Sequence, residues 1–201
     1  MRNDRPFRFA KWLSVLWLVI WIPTYSTVWG WANFLHLCNV AVFLSCLGFL
    51  FESPLLISSQ ALVSILGNFL WVVEFSNALV TGHVLFGGTE YMMDVRIPFW
   101  VRCLSLYHFV LPFLLIWGLF CLGYDRRGWK LQGTISLLVL FLSRFTVPAK
   151  NINFVFRDPL LQKTWGNAFF HVMVVWLGLI LLIYWPTHLV LTRVFPEPKK
   201  I

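Results

Sequence analysis

Six stretches of this chain, 9–28, 33–51, 55–80, 97–123, 131–147 and 167–192, are apolar almost throughout. A helix needs roughly 20 residues to cross the hydrocarbon of a bilayer, and each stretch is close to that length. At 59% hydrophobic and 12% charged, the chain has too little charge to cover a water-facing surface. The expectation is an all-α polytopic membrane protein, a single domain over 1–201 with about six spans. The 12 Trp suit the headgroup zone, where amphipathic rings collect. Pro23 and Pro112 fall inside spans and are expected to kink them. No internal repeat or low-complexity tract is visible.

The net charge of +8 does not point to nucleic acid, because the basic residues flank apolar runs and form no single stripe. They read better as orientation signals. One side of a six-span chain carries Arg2, Arg5, Arg8, Lys11, Arg126, Arg127, Lys130, Arg193, Lys199 and Lys200. The other carries only Arg96, Lys150, Arg157 and Lys163. By the positive-inside rule both termini are cytoplasmic and the protein is a multi-pass component of the inner (plasma) membrane. Its first segment resembles the basic and apolar regions of a signal peptide, but no small-x-small site follows, so an uncleaved helix is expected. Cys38, Cys46, Cys103 and Cys121 lack CxxC or finger spacing, which argues against a disulfide framework or a zinc knuckle.

Ionisable side chains inside a bilayer are costly and usually line a site. Here they gather toward the outer half. His36, Cys38 and Asn39 open the second segment, and Glu74, Asn77 and Thr81 share one face of the third. Arg102 and His108 lie in the fourth, Arg144 ends the fifth, and Asn167 and His171 begin the sixth. The pattern predicts a cavity opening outward between segments two, three, four and six. The bland alternative is that Arg102 and Arg144 snorkel to headgroups while Glu74 pairs with one of them.

FLHLCNV at 34–40 resembles the LHLCNI-like signature of the YwaF-type bacterial membrane proteins, which are related to the transmembrane ether-phospholipid acyltransferases. Tyr107–Phe109 (YHF) and KNINFVFRDP at 150–159 follow in matching order, with Asn153 at the family's Asn. Phe154 stands where that family usually has Tyr, and FRDP replaces a longer charged stretch. A more remote likeness runs to the androgen-induced membrane hydrolases. The resemblance covers roughly residues 30–185 and implies Cys38 as nucleophile and His108 as its base, acting on a phospholipid or another lipid ester without a cofactor.

An imidazole within reach can take the thiol proton as sulfur attacks an ester carbonyl, giving an acyl-enzyme. Arg102, Asn153 and Asn39 are the candidate donors for the developing oxyanion. Glu74 would orient a His or balance Arg102 or Arg144, and Asn77 and His171 complete the supporting set. At 1.5 Å per residue, Cys38 lies roughly 7 Å into its segment and His108 roughly 16 Å into its own. A gap of that size would hand the role of base to His36 or His171, although on a regular helix His36 points away from Cys38. Two rival readings stand beside this one. Either His36, His83, His108 and His171 bind a metal, or the chain is a non-enzymatic transporter or assembly-factor subunit.

Overall fold

The computed structural model describes residues 5–198. Arg2, Lys199 and Lys200, counted above for orientation, lie outside the described residues. The described residues fold into helices joined by turns, with no strand among them. α1 is Arg5–Val28, α2 Leu37–Leu50 and α3 Pro54–Thr81. α4 is Phe99–Leu122, α5 Gly128–Ser143 and α6 Ala168–Val194. By length and composition, α1, α3, α4 and α6 are long and apolar enough to cross a membrane, whereas α2 and α5 are shorter.

The ends of these helices follow from local chemistry. Ser53 caps α3 by accepting from Leu56 N, and Pro54 fills the first helical position, where an N–H would be unpaired anyway. Gly82, at φ 73°, closes it in the left-handed conformation. Asn167 caps α6 through Phe170 N at 2.9 Å. The expected start of the second span moves from 33 to Leu37, because Trp31–Leu35 forms a separate 3-10 turn. The fifth moves from 131–147 to Gly128–Ser143, where the Asp125 carboxylate accepts from Arg127 N at 2.9 Å and starts the helix early.

Pro23 and Pro112 lie inside α1 and α4, whose helices continue past them. Leu179–Tyr184 of α6 widens into a π-helical stretch just before Pro186, relieving the clash of a proline ring with the preceding turn.

α3 is the central post, packed by α2, α4 and α5. Small residues permit the close approach: a Cβ added at Gly48 would meet Ile57 at 2.9 Å, and one at Gly128 would meet Ser58 at 2.9 Å. Trp21 of α1 is fully buried against Tyr25, Phe34, Phe43 and Tyr107. The opposite face of α1 exposes Phe9, Trp12, Leu16 and Val19, as a lipid-facing helix does.

Candidate functional site

The first turn of α2 is fixed from three directions. Asn153, on the turn after α5, accepts from Leu37 N at 2.9 Å and donates to Leu35 O at 2.7 Å and Ser143 Oγ at 3.0 Å. Asn39 donates to Asn33 O at 2.8 Å, and its Oδ1 accepts from the Tyr107 hydroxyl at 2.6 Å. His36 precedes the helix at φ −58°, ψ 132°. The helical-wheel argument that points it away from Cys38 therefore does not apply to it.

Cys38 is the second residue of α2 and is partly buried. Its Sγ lies 3.9 Å from Asn39 Oδ1, with the Tyr107 hydroxyl and the backbone N–H groups of Cys38 and Asn39 as its other polar neighbours. Tyr107 thus reaches the thiol with its hydroxyl, while His108, the next residue of α4, turns elsewhere. Direction is what separates them. One residue along α4 is a turn of 100°, which carries His108 toward α3. There its ring stacks on Trp71 at 4.4 Å and on Tyr107 at 4.1 Å. No hydrogen bond joins His108 to Cys38. His108 Nδ1 bonds to Ser105 O at 2.8 Å. A carbonyl only accepts, so Nδ1 carries the proton and Nε2 keeps its lone pair. His36 lies within electrostatic range of His108.

Around this centre the sequence reading missed Tyr25, Trp71, Tyr91 and Ser105, and gave Tyr107 no role. The Tyr25 hydroxyl and Ser105 Oγ are 2.6 Å apart in the interior, and Tyr91 reaches toward Ser105 and Trp71 from the loop between α3 and α4. In a chain rich in Trp and Tyr, composition does not distinguish such residues from an interfacial belt; only the YHF stretch marked Tyr107.

Most of the expected supporting residues hold loops. Glu74 pairs with neither Arg102 nor Arg144, because backbone is nearer: it accepts from Phe86 N at 2.9 Å. Asn77 donates to His83 O at 2.7 Å and Arg102 to Met92 O at 2.7 Å, so all three fasten loop 82–98. Arg144 donates to Val155 O at 3.0 Å and lies 4.2 Å from the Phe156 ring. His171 accepts from Trp165 N through Nδ1 and donates to Phe154 O through Nε2. Neither imidazole nitrogen is left to serve as a base. Asn153 likewise has no donor left for an oxyanion.

A pocket of about 530 Å³ opens at the loop, lined by Trp29, Glu90, Tyr91, Met93, Asp94, Arg96 and Ile97. No side chain of α2, α3 or α6 lines it, unlike the expected cavity. Its charged wall is a close pair: Arg96 Nη2 lies 2.7 Å from Asp94, whose carboxyl it holds down at about 2. Among the described residues no group of three His, Cys, Asp or Glu side chains is placed to hold a metal ion, and His83 is exposed. Comparison with models of protein families, with curated proteins and with solved structures gives no match.

Proposed function

We propose that this chain is a six-span membrane protein with both termini in the cytoplasm, and that it carries lipid acyl transfer or lipid ester hydrolysis through Cys38. The three-residue connection 51–53 between α2 and α3 supports the extra spans, since so short a link makes the two helices antiparallel neighbours. The resemblance of FLHLCNV to the YwaF-type signature supports the chemistry, and one observation carries it. Cys38 sits on the first turn of a helix, with its own N–H and the Tyr107 hydroxyl beside Sγ, and His108 is the next residue after Tyr107 on α4.

In this reading Sγ attacks the carbonyl carbon of a lipid ester. A C–S bond forms, the C–O bond breaks, and the released alkoxide takes the proton that left the thiol. A lysophospholipid hydroxyl or water then attacks the thioester and regenerates Cys38. On the first turn of α2 the N–H groups of Leu37, Asn39 and Val40 donate to Asn153 Oδ1 and His36 O, which leaves the Cys38 N–H as the donor for the developing negative charge. His108, with its Nε2 lone pair, is the base. Since Sγ meets Tyr107 and Asn39 first, the proton reaches His108 through a bridging group or after a side-chain rotation.

The test is incubation of the purified protein with a phospholipid labelled in its acyl chain. Hydroxylamine-labile label is expected on wild type and on the Cys46→Ala, Cys103→Ala and Cys121→Ala variants, and is expected to vanish in Cys38→Ala. Label or turnover undiminished in both Cys38→Ala and His108→Ala overturns the reading. A second reading, a non-enzymatic transporter or assembly subunit, is favoured by one observation: Glu74, Asn77, Arg102, Arg144, Asn153 and His171 all spend polar atoms on loops.

A further inference from the structure

The bundle interior carries a second polar system that chemistry at Cys38 does not use. α3 presents Gln60, Ser64 and Asn68 at successive turns of one face, each at most 2% exposed. Gln60 Nε2 donates to Ser59 Oγ at 2.7 Å and reaches Gln132 Oε1 of α5 at 3.4 Å. Gln132 in turn reaches the Tyr184 hydroxyl of α6 at 3.5 Å. One turn further along α6, His188 Nδ1 bonds to the Tyr124 hydroxyl at 2.7 Å. In the other direction, Asn68 lies one turn from Trp71, the ring stacked on His108. The row thus extends from the Tyr124–His188 pair at one end of the bundle to the Tyr107–His108 cluster at the other.

Four enclosed atoms in this row have no hydrogen-bond partner among the described residues: Gln60 Oε1, Ser64 Oγ, Asn68 Nδ2 and Ser45 Oγ of α2. Ser45 belongs to the row because it lies one turn from Gly48, which packs on Ile57, itself one turn from Gln60. A serine inside a helix ordinarily returns its hydroxyl to the carbonyl four residues back. Ser136 and Ser143 do so, at 2.8 Å each, whereas Ser45 and Ser64 do not. Polar residues that only glue membrane helices together pair with one another, and these atoms do not. Donors and acceptors left over at successive turns, in an interior that tolerates none, call for a small partner able both to give and to take hydrogen bonds.

We propose that the face of α3 from Gln60 to Asn68 holds a file of water molecules, and that this file is a proton path between the Tyr124–His188 pair and the Tyr107–His108 cluster. Protons hop from donor to acceptor along it. One enters at one end as another leaves at the opposite end, so no bond is made or broken overall. The path goes beyond the Cys38 reading and does not depend on it.

The full chain is reconstituted into liposomes containing a trapped pH-sensitive dye, and proton entry is driven by a potassium gradient with valinomycin. Wild type and Cys38→Ala are expected to acidify the lumen faster than protein-free vesicles. Gln60→Leu and Asn68→Leu are expected to fall to the protein-free rate. No flux above protein-free vesicles in wild type overturns the proposal, as does wild-type flux in Gln60→Leu. If the leucine variants fail to fold, Ser45→Ala and Ser64→Ala, which each delete one hydroxyl, are the readout. Flux slower than wild type sustains the path, and wild-type flux in both overturns it.

Discussion

Replacing Asn153 tests how the start of α2 is held. The residue lies at φ 53°, ψ 23° and spends its whole amide on three hydrogen bonds. Asn153→Ala removes the acceptor for Leu37 N, a loss comparable to that of a helix cap, about 1 kcal/mol. It also strands Leu35 O, at a cost of about 1–3 kcal/mol for a buried group left unpaired. Ser143 loses less, since its hydroxyl still donates to Val139 O. Side-chain hydrogen bonds in membrane proteins average only about 0.6 kcal/mol, so the lower half of that range applies and the hydrogen-bond loss is about 2 kcal/mol. Alanine in the left-handed region adds about 1–2 kcal/mol that Asn largely escapes, for a total near 3–4 kcal/mol. Asn153→Gly loses the same hydrogen bonds without that strain. It should therefore be less destabilising than Asn153→Ala by about 1 kcal/mol, an inversion of the usual order in regular structure. The assay is reversible unfolding in mixed micelles with increasing SDS, followed by far-UV circular dichroism. An Asn153→Ala variant within about 0.5 kcal/mol of wild type would refute the reasoning, and so would a glycine variant less stable than the alanine one.

Four further outcomes are expected. Gly128→Ala drives a Cβ to 2.9 Å from Ser58 Cβ and 3.0 Å from Ser59 N and should cost about 1–3 kcal/mol in the same unfolding assay. Gly178→Ala, with nothing within 4 Å, should stabilise by about 0.5–1 kcal/mol through helix propensity. Glu74→Gln keeps an acceptor for Phe86 N, so tryptic cleavage at Arg96 should stay near the wild-type rate and rise in Glu74→Leu; a rise in both variants would mean that the charge is what matters. The Asp94 carboxyl is lowered from 3.8 to about 2, first by its hydrogen bond with Arg96. The stability it confers is present above pH 3.8 and is lost as pH falls toward 2. Wild type should lose unfolding midpoint faster than Asp94→Asn across that window, and parallel curves would refute the link.

Hydrophobic runs made the helices legible because lipid-crossing length is a one-dimensional property. The ends shifted where side chains, unseen by a hydropathy reading, cap or delay a helix, as Asp125 advances α5 and the 31–35 turn delays α2. That Glu74 and Asn77 share a face was legible too, and both serve the same loop. Their partners were not legible, because they are backbone groups, Phe86 N and His83 O, and any sequence supplies a backbone. The geometry between Cys38 and His108 was hidden for a different reason. Depth can be counted along a helix, but the rotation of α4 depends on which face packs on α3, and the aromatic stack on Trp71 decides that.

The same bonds that stabilise the start of α2 also aim the thiol, and this bears on how any loss of function is read. Asn153, Asn39 and Tyr107 fix the backbone of residues 35–39, so their loss lowers stability and displaces Cys38 together. Activity lost in Asn153→Ala therefore does not separate a catalytic site from a structural one. Cys38→Ser does. It exchanges sulfur for oxygen at a partly buried position whose contact with Asn39, at 3.9 Å, is weak. Unfolding should stay within about 0.5 kcal/mol of wild type, while a hydroxyl is far poorer as a nucleophile than a thiol. Acyl labelling that disappears in Cys38→Ser with unfolding unchanged belongs to the sulfur. A variant that unfolds early instead would mean that the thiol is a packing group, and the polar residues around it would then be the fastening of α2 and nothing more.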